Sequence, residues 1–220
     1  MNAGLADDVF ILDDIEDAIK DVASGKIIIV VDDARRENEG DMVVAAEKCG
    51  TQHMNYFVTQ AKGLVCAPLD GEIAERLDLD LMVERGTEPH GTAFTVTVDA
   101  FDGVTTGISA EERARTVRKL ADPSAKPGDF RRPGHIFPLI ARAGGVLKRA
   151  GHTEAAVDFA RLAGFRGVGV ICEILNEDGS MARLPQLLEF ARREGLRVVS
   201  VADLIKYRLS REKLVRRAAE

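Results

Sequence analysis

The sequence predicts an α+β fold, a single domain of mixed sheets flanked by helices. Three observations point to it. Segments with a helical apolar period alternate along the chain with short β-branched runs. Several strand-to-strand links are too short for parallel crossovers, which need about a dozen residues, so antiparallel pairs must be mixed in. A chain of 220 residues, 45% hydrophobic and 30% charged, suits one large domain or two small ones and argues against disorder.

Taken in order, Ile15, Ala18, Ile19 and Val22 recur at helical spacing behind Asp14, a capping side chain. Residues 14–24 therefore read as a helix that Gly25 ends. KIIIVV at 26–31 and MVVAA at 42–46 read as buried strands. TQHMNYFVTQAK (51–62) reads as a helix, followed by a strand at Leu64–Ala67. Thr92 to Asp99 alternates, with Phe94, Val96 and Val98 on one face and Thr95 and Thr97 on the other, as a half-buried strand does. Ser109 with Glu112 three residues on is a capping box that opens a helix through Leu120. DPSAKPGDFRRPG (122–134) is short enough to be a loop within one domain rather than a linker. A helix at 154–163, a strand at 168–175, a helix at 184–194 with Pro185 in its first turn and a strand at 197–201 follow. The basic end, LIKYRLSREKLVRRAAE, reads as a solvated helix whose late arginines complement its dipole.

Charge and composition narrow the function. A net charge of -6, 5% aromatics and no Trp argue against a general nucleic-acid binder, which needs basic stripes and stacking rings. The longest aliphatic run, Ile27 to Val31, is far short of the roughly twenty residues that span a bilayer. MNAGLADDVF has neither a basic start nor an apolar signal core. The three cysteines, Cys49, Cys66 and Cys172, form no CxxC pair and suit reduced thiols. A soluble cytoplasmic protein without a membrane partner is expected.

Four features stand out as chemistry. DDARRENEGD (32–41) packs five carboxylates and two arginines into ten residues between apolar strands. Such a run is either a solvated turn or a site in which a cation or arginine offsets the mutual repulsion. GVTTGISAEER places Thr105, Thr106 and Ser109 before a capped helix, as an ordinary turn or an anion site. His135 and His152 each follow a glycine, and Arg149, His152 and a helix start, with Thr153 as its cap, fall within five residues. That grouping suits a phosphate or a metal. Glu173 lies inside the apolar VGVICEIL, either facing solvent on an edge strand or as a carboxylate with a tuned pKa. Cys49 and His53 have half the spacing of a zinc site and no second half, and the oxygen-rich ligands favour magnesium.

Assembled, these residues resemble the 3,4-dihydroxy-2-butanone 4-phosphate synthase family of riboflavin biosynthesis. The resemblance runs from about Asp14 to Arg208 through VDDARRENEGD, GLVCAPL, GTAFTVTVDA, GVTTGISAEER, RPGHIFPL, GGVLKRAGHTEAAVDFARLAG, GVICEILNEDGSMAR and VADLIKYR. Residues 84–91, ERGTEPHG, depart from the asparagine-rich stretch of the family and are expected, with the acidic loop, to act as lids. The family's single-domain form is expected over residues 1–220, with a core of about 12–208 and no cyclohydrolase unit behind it.

The resemblance implies conversion of D-ribulose 5-phosphate to L-3,4-dihydroxybutan-2-one 4-phosphate and formate by a magnesium- or manganese-dependent homodimeric lyase. It places the metal on Glu37 and His152 and the sugar on Arg36, Glu37 and Asp41. The phosphate falls on Arg149, Ala150, Gly151, His152 and Thr153, and Thr106 and Ser109 are expected to add hydroxyl contacts to the substrate. His135 and Glu173 match positions required for catalysis, Cys66 lines the site, and Asp41, Glu173 and His135 are the acid/base candidates. Two other readings are weighed against it: another magnesium-dependent phosphosugar aldolase or isomerase, and a non-catalytic anion-binding module.

Overall fold

The computed structural model describes residues 10–212. The start of the MNAGLADDVF segment and the last eight residues of the basic end fall outside them, as do the expectations placed there. The described chain forms an eight-stranded mixed sheet covered by helices on both faces. Among the described residues no helix is long and apolar enough to cross a membrane.

Helix α1 (Ile15–Ala23) starts where expected, with the Asp14 carboxylate accepting the Glu16 N–H at 2.7 Å. Strand β1 (Ile28–Val31) pairs antiparallel with β2 (Gly40–Ala45) and parallel with β8 (Arg197–Ser200). Alternate β1 residues feed two cores. Ile29 and Val31 face α2 (Thr51–Tyr56), α4 (Ala110–Ala121) and α6 (Leu184–Glu194), while Ile28 and Val30 face α1, α5 (His152–Leu162) and α7 (Val201–Arg211). Both faces being covered, the strand has no polar side, which is why KIIIVV does not alternate.

The sheet order is β4–β6–β3–β7–β2–β1–β8, with β5 also on β6. Here β3 is Cys66–Leu69, β4 Ala93–Phe94, β5 Val98–Ala100, β6 Phe130–Ile140 and β7 Gly169–Glu173. Strand β7 lies between β2 and β3, so the edge-strand reading of Glu173 is corrected: it ends an interior strand, directly opposite Asp41 on β2. Ile171, two residues earlier on the same face, is opposite Cys66. Three candidate side chains thus meet at one end of the sheet by register alone.

Other expectations shift. The helix predicted over 51–62 continues past α2 as one π-turn, Phe57–Ala61, and ends at Lys62 with φ 72°. The single strand over Thr92–Asp99 is split into β4 and β5, and Thr95 is fully buried, its hydroxyl donating to the Val96 and Pro138 carbonyls. The loop predicted at 122–134 is correct only to Asp129, since β6 begins at Phe130. Its first half bulges: Asp99 pairs with Arg131 and the adjacent Val98 with Ile136, leaving Arg132–His135 looped out. A short helix, α3 (Gly71–Arg76), follows β3.

Candidate active site

The acidic loop connects β1 to β2, and its first residue organises it. The fully buried Asp32 carboxylate accepts the Glu37 N–H at 3.0 Å and the Glu39 N–H at 2.9 Å, and it takes Arg36 Nη1 at 2.9 Å. The same Arg36 nitrogen lies 2.7 Å from Glu37 Oε2. Repulsion among the acids is therefore offset from within the loop, and Glu37 is turned inward.

It meets His152, the first residue of α5. His152 Nδ1 is 3.3 Å from Glu37 Oε2 and 3.9 Å from Asp41 Oδ1. Burial alone would raise the Glu37 carboxyl, but the His152 hydrogen bond and the Arg36 charge outweigh it and hold the pKa at about 2. Burial would lower His152; the Asp41 charge, the Glu37 hydrogen bond and the Asp32 charge raise it to about 9. Asp41, buried with carboxylates around it, is pushed up to about 7, its desolvation outweighing the attraction of His152. Burial raises the Cys66 thiol well above its ordinary value, so the side chain lining the cleft is a neutral thiol.

Two buried polar atoms here, Asp41 Oδ1 and His152 Nε2, have no hydrogen-bond partner among the described residues. Burying such atoms unpaired is costly, so they mark a place built for a ligand. One ligand atom each from Asp32, Glu37 and His152 falls within 4.8 Å of the others. The Asp32 oxygens already accept three donors, whereas Glu37 and His152 face the cleft. A carboxylate and an imidazole with open valence fit a divalent cation that takes its remaining ligands from water or substrate.

A cleft of about 180 Å³ joins these groups to the start of α5. Its walls include Arg36, Glu37, Asp41, Cys66, Arg149, His152, Thr153 and Glu173. Thr153 is not the helix cap; Gly151 is, and it has no side chain to occupy the first-turn N–H groups. Gly151 is squeezed between arginines: a Cβ there would lie 2.5 Å from Arg149 Nη1 and 3.0 Å from Arg36 Nη2. Glu154 Oε2 would lie 3.1 Å from the same Cβ, paired with Arg149, and an uncapped helix start flanked by two guanidiniums suits an anion. Arg149 is aimed by Glu154 at 2.7 Å and by the Thr92 hydroxyl at 2.8 Å, and it donates to the His90 carbonyl at 3.2 Å. That last bond ties residues 84–91 to the cleft, which Glu88 also lines. Glu173 is held at the rim, where its Oε2 accepts the Leu64 N–H at 2.8 Å.

His135 and Thr106 are not brought into this cleft. His135 sits in the β6 bulge, its ring 2.8 Å from Asp99 Oδ2 and its N–H donating to Asp99 Oδ1 at 2.9 Å. Thr106 is exposed beside it, on a turn gathered by Glu112, whose carboxylate accepts from Thr105, Gly107 and Ser109. Asp32, Asp99 and Thr92 were not singled out from the sequence. Asp99 had a signal, a charge ending the apolar FTVTV alternation.

The 3,4-dihydroxy-2-butanone 4-phosphate synthase family model matches residues 16–207. The chain belongs to this family. Among relatives, the 3,4-dihydroxy-2-butanone 4-phosphate synthase of Pseudomonas aeruginosa is 54% identical over 209 residues, covering 95% of this chain and 57% of its own length. The riboflavin biosynthesis protein RibBA of Aquifex aeolicus is 55% identical over 207 residues, covering 93% of this chain and 51% of that protein. The chain thus spans about half the length of the curated relatives it matches. A crystal structure of a synthase of this family in complex with two magnesium ions superposes with a TM-score of 0.88 at 46% identity, covering 92% of this chain and 100% of the other. The two-domain synthase RibBX of A. baumannii gives a TM-score of 0.91 at 46% identity, over 94% of this chain and 61% of that one.

Proposed function

We propose that the chain converts D-ribulose 5-phosphate to L-3,4-dihydroxybutan-2-one 4-phosphate and formate, a step of riboflavin biosynthesis. We read residues 12–208 as one synthase domain acting as a cytoplasmic, magnesium- or manganese-dependent homodimer. The observation that carries the reading is the meeting of Glu37, His152 and Asp41 with an arginine-flanked, uncapped helix start in one cleft, in a member of this family.

Glu37 and His152 would hold the divalent ion, which when bound supplies Lewis acidity to the carbonyl and neighbouring hydroxyls of an open-chain ketose. Arg149, Arg36 and the amides of residues 150–153 bind the phosphate, fixing which carbons face the carboxylates. Asp41 and Glu173, side by side across β2 and β7, are the acid/base pair of the cleft. Desolvation raises the Asp41 carboxyl above its ordinary value, which suits a group that both gives and takes a proton, and such transfers contribute ~10²–10⁴-fold. Cys66 adds an uncharged wall beside them. Residues 84–91 and the acidic loop close the cleft against water, which a dehydrating intermediate requires.

His135 and Thr106 lie outside this cleft, on a surface that also exposes Phe101 and Ile108. Leu64, next to Glu173, is exposed as well. The exposed apolar side chains support the homodimer reading, in which a second copy would cover this surface and bring His135, oriented by Asp99, to the neighbouring cleft.

Incubation with ribulose 5-phosphate and magnesium tests the function. Equimolar formate is expected, and Glu37→Gln and His152→Asn are expected to fold and lose it. An aldolase or isomerase releases no formate. In a non-catalytic anion-binding module, Glu173→Gln changes nothing.

A further inference from the structure

Glu37 faces His152 because the acidic loop takes one particular path, and part of what sets that path lies on another element. From the β1 side the Asp32 carboxylate holds the N–H groups of Glu37 and Glu39. From the opposite side Arg183 Nη1 donates to the Glu37 carbonyl at 2.9 Å and to the Asn38 carbonyl. Asn38 is in the left-handed region at φ 55°, a conformation that asparagine tolerates better than most residues. Two successive carbonyls thereby converge on one guanidinium nitrogen.

Arg183 is itself fixed. It is the N-cap residue of α6, and its own N–H donates to Gln186 Oε1 at 3.1 Å. The helix is seated on the end of the same loop: at Gly40 a Cβ would lie 2.5 Å from Leu187 Cδ1 and 3.0 Å from Cδ2. Arg183 also places a positive charge 4.0 Å from Glu39, in a segment crowded with carboxylates. It does not line the cleft.

We propose that Arg183 is a positioning residue that clamps the acidic loop onto α6 and so sets the direction of the Glu37 carboxylate. The inference rests on the reading of Glu37 as a cation ligand. Its main chain is gripped by Asp32 through hydrogen and by Arg183 through oxygen, so the side chain between them has little freedom to turn away from His152. Lysine can reach the same carbonyls with an ammonium but lacks the planar guanidinium.

The test uses the full chain, Mn²⁺ as probe, and amide hydrogen exchange. Arg183→Gln is expected to weaken Mn²⁺ binding about 10-fold, the lower end of what loss of an outer partner of a metal ligand costs. It should also accelerate exchange at residues 36–39 while β1 and β2 exchange at the parent rate. Arg183→Lys should fall between the parent and Arg183→Gln in both readouts. Unchanged loop exchange and Mn²⁺ affinity in Arg183→Gln overturn the proposal; if that variant does not fold, unchanged values in Arg183→Lys do so. Glu37→Gln separates the two readings. It should lose Mn²⁺ binding and keep the loop protected, and if it binds Mn²⁺ normally the cation assignment fails while loop exchange still decides the role of Arg183.

Discussion

Gly63 links the turn after the π-helical segment to the rim of the cleft, and Gly63→Ala perturbs the site without removing a charged group. A Cβ at Gly63 would collide with the Glu173 carbonyl oxygen and lie 2.6 Å from Glu173 Oε2 and 2.9 Å from its amide nitrogen. Comfortable carbon contacts are about 3.5–4.0 Å, so one side must retreat by roughly 1 Å. Strand β7 is held by β2 on one side and β3 on the other, which leaves the 63–64 turn and the Glu173 side chain to move. Overpacking of this kind costs about 1–3 kcal/mol. For a chain of this size that lowers Tm by about 2–12 °C. Loss of the 2.8 Å bond from Leu64 frees the carboxylate, and a misplacement of about 1 Å can cost roughly 100-fold in turnover. Formate release and a thermal melt read the two effects. Gly128→Ala is the control, because a Cβ there meets nothing within 4 Å. If Gly63→Ala melts with the parent and turns over at full rate, Glu173 is not positioned by this close approach.

Asp99→Asn should leave the fold intact and lower turnover by ~10²-fold with little change in KM, since it removes the charge that orients His135; steady-state kinetics check this. If His135 works across a dimer, mixing inactive His135→Asn and Glu37→Gln chains and allowing exchange should restore about a quarter of the parent rate, whereas action within one chain restores none. Glu112, pulled down to about 2 chiefly by the hydrogen bonds from Thr105, contributes stability that is fully present above its ordinary value of 4.5 and is lost as pH falls through 2. The urea midpoint should therefore drop between pH 5 and pH 2, and Glu112→Gln should flatten that part of the curve.

Much of this arrangement was legible in the residues. Helix α6 falls at 184–194 as predicted because Pro185 and the apolar spacing agree with its packing. The Ser109–Glu112 box caps α4 as read, and the acidic run lines the cleft instead of forming a solvated turn because a buried Asp32 and Arg36 gather it. What the sequence hid has physical causes. The start of β6 has no apolar alternation, since Arg131, Arg132 and Pro133 are exposed and the strand bulges there. Thr95 reads as a surface residue, yet its hydroxyl finds buried carbonyls. Arg183 gives no periodic signal at all; its partners are main-chain carbonyls 145 and 146 residues away.

The most direct measurement is the fate of the fourth carbon of the substrate. With ribulose 5-phosphate labelled with ¹³C at C4 and magnesium present, the label should appear in formate and be missing from a four-carbon phosphate, at a rate that vanishes in His152→Asn. Label that stays in a five-carbon ester, or leaves in a two- or three-carbon fragment, would contradict the proposed reaction at its root.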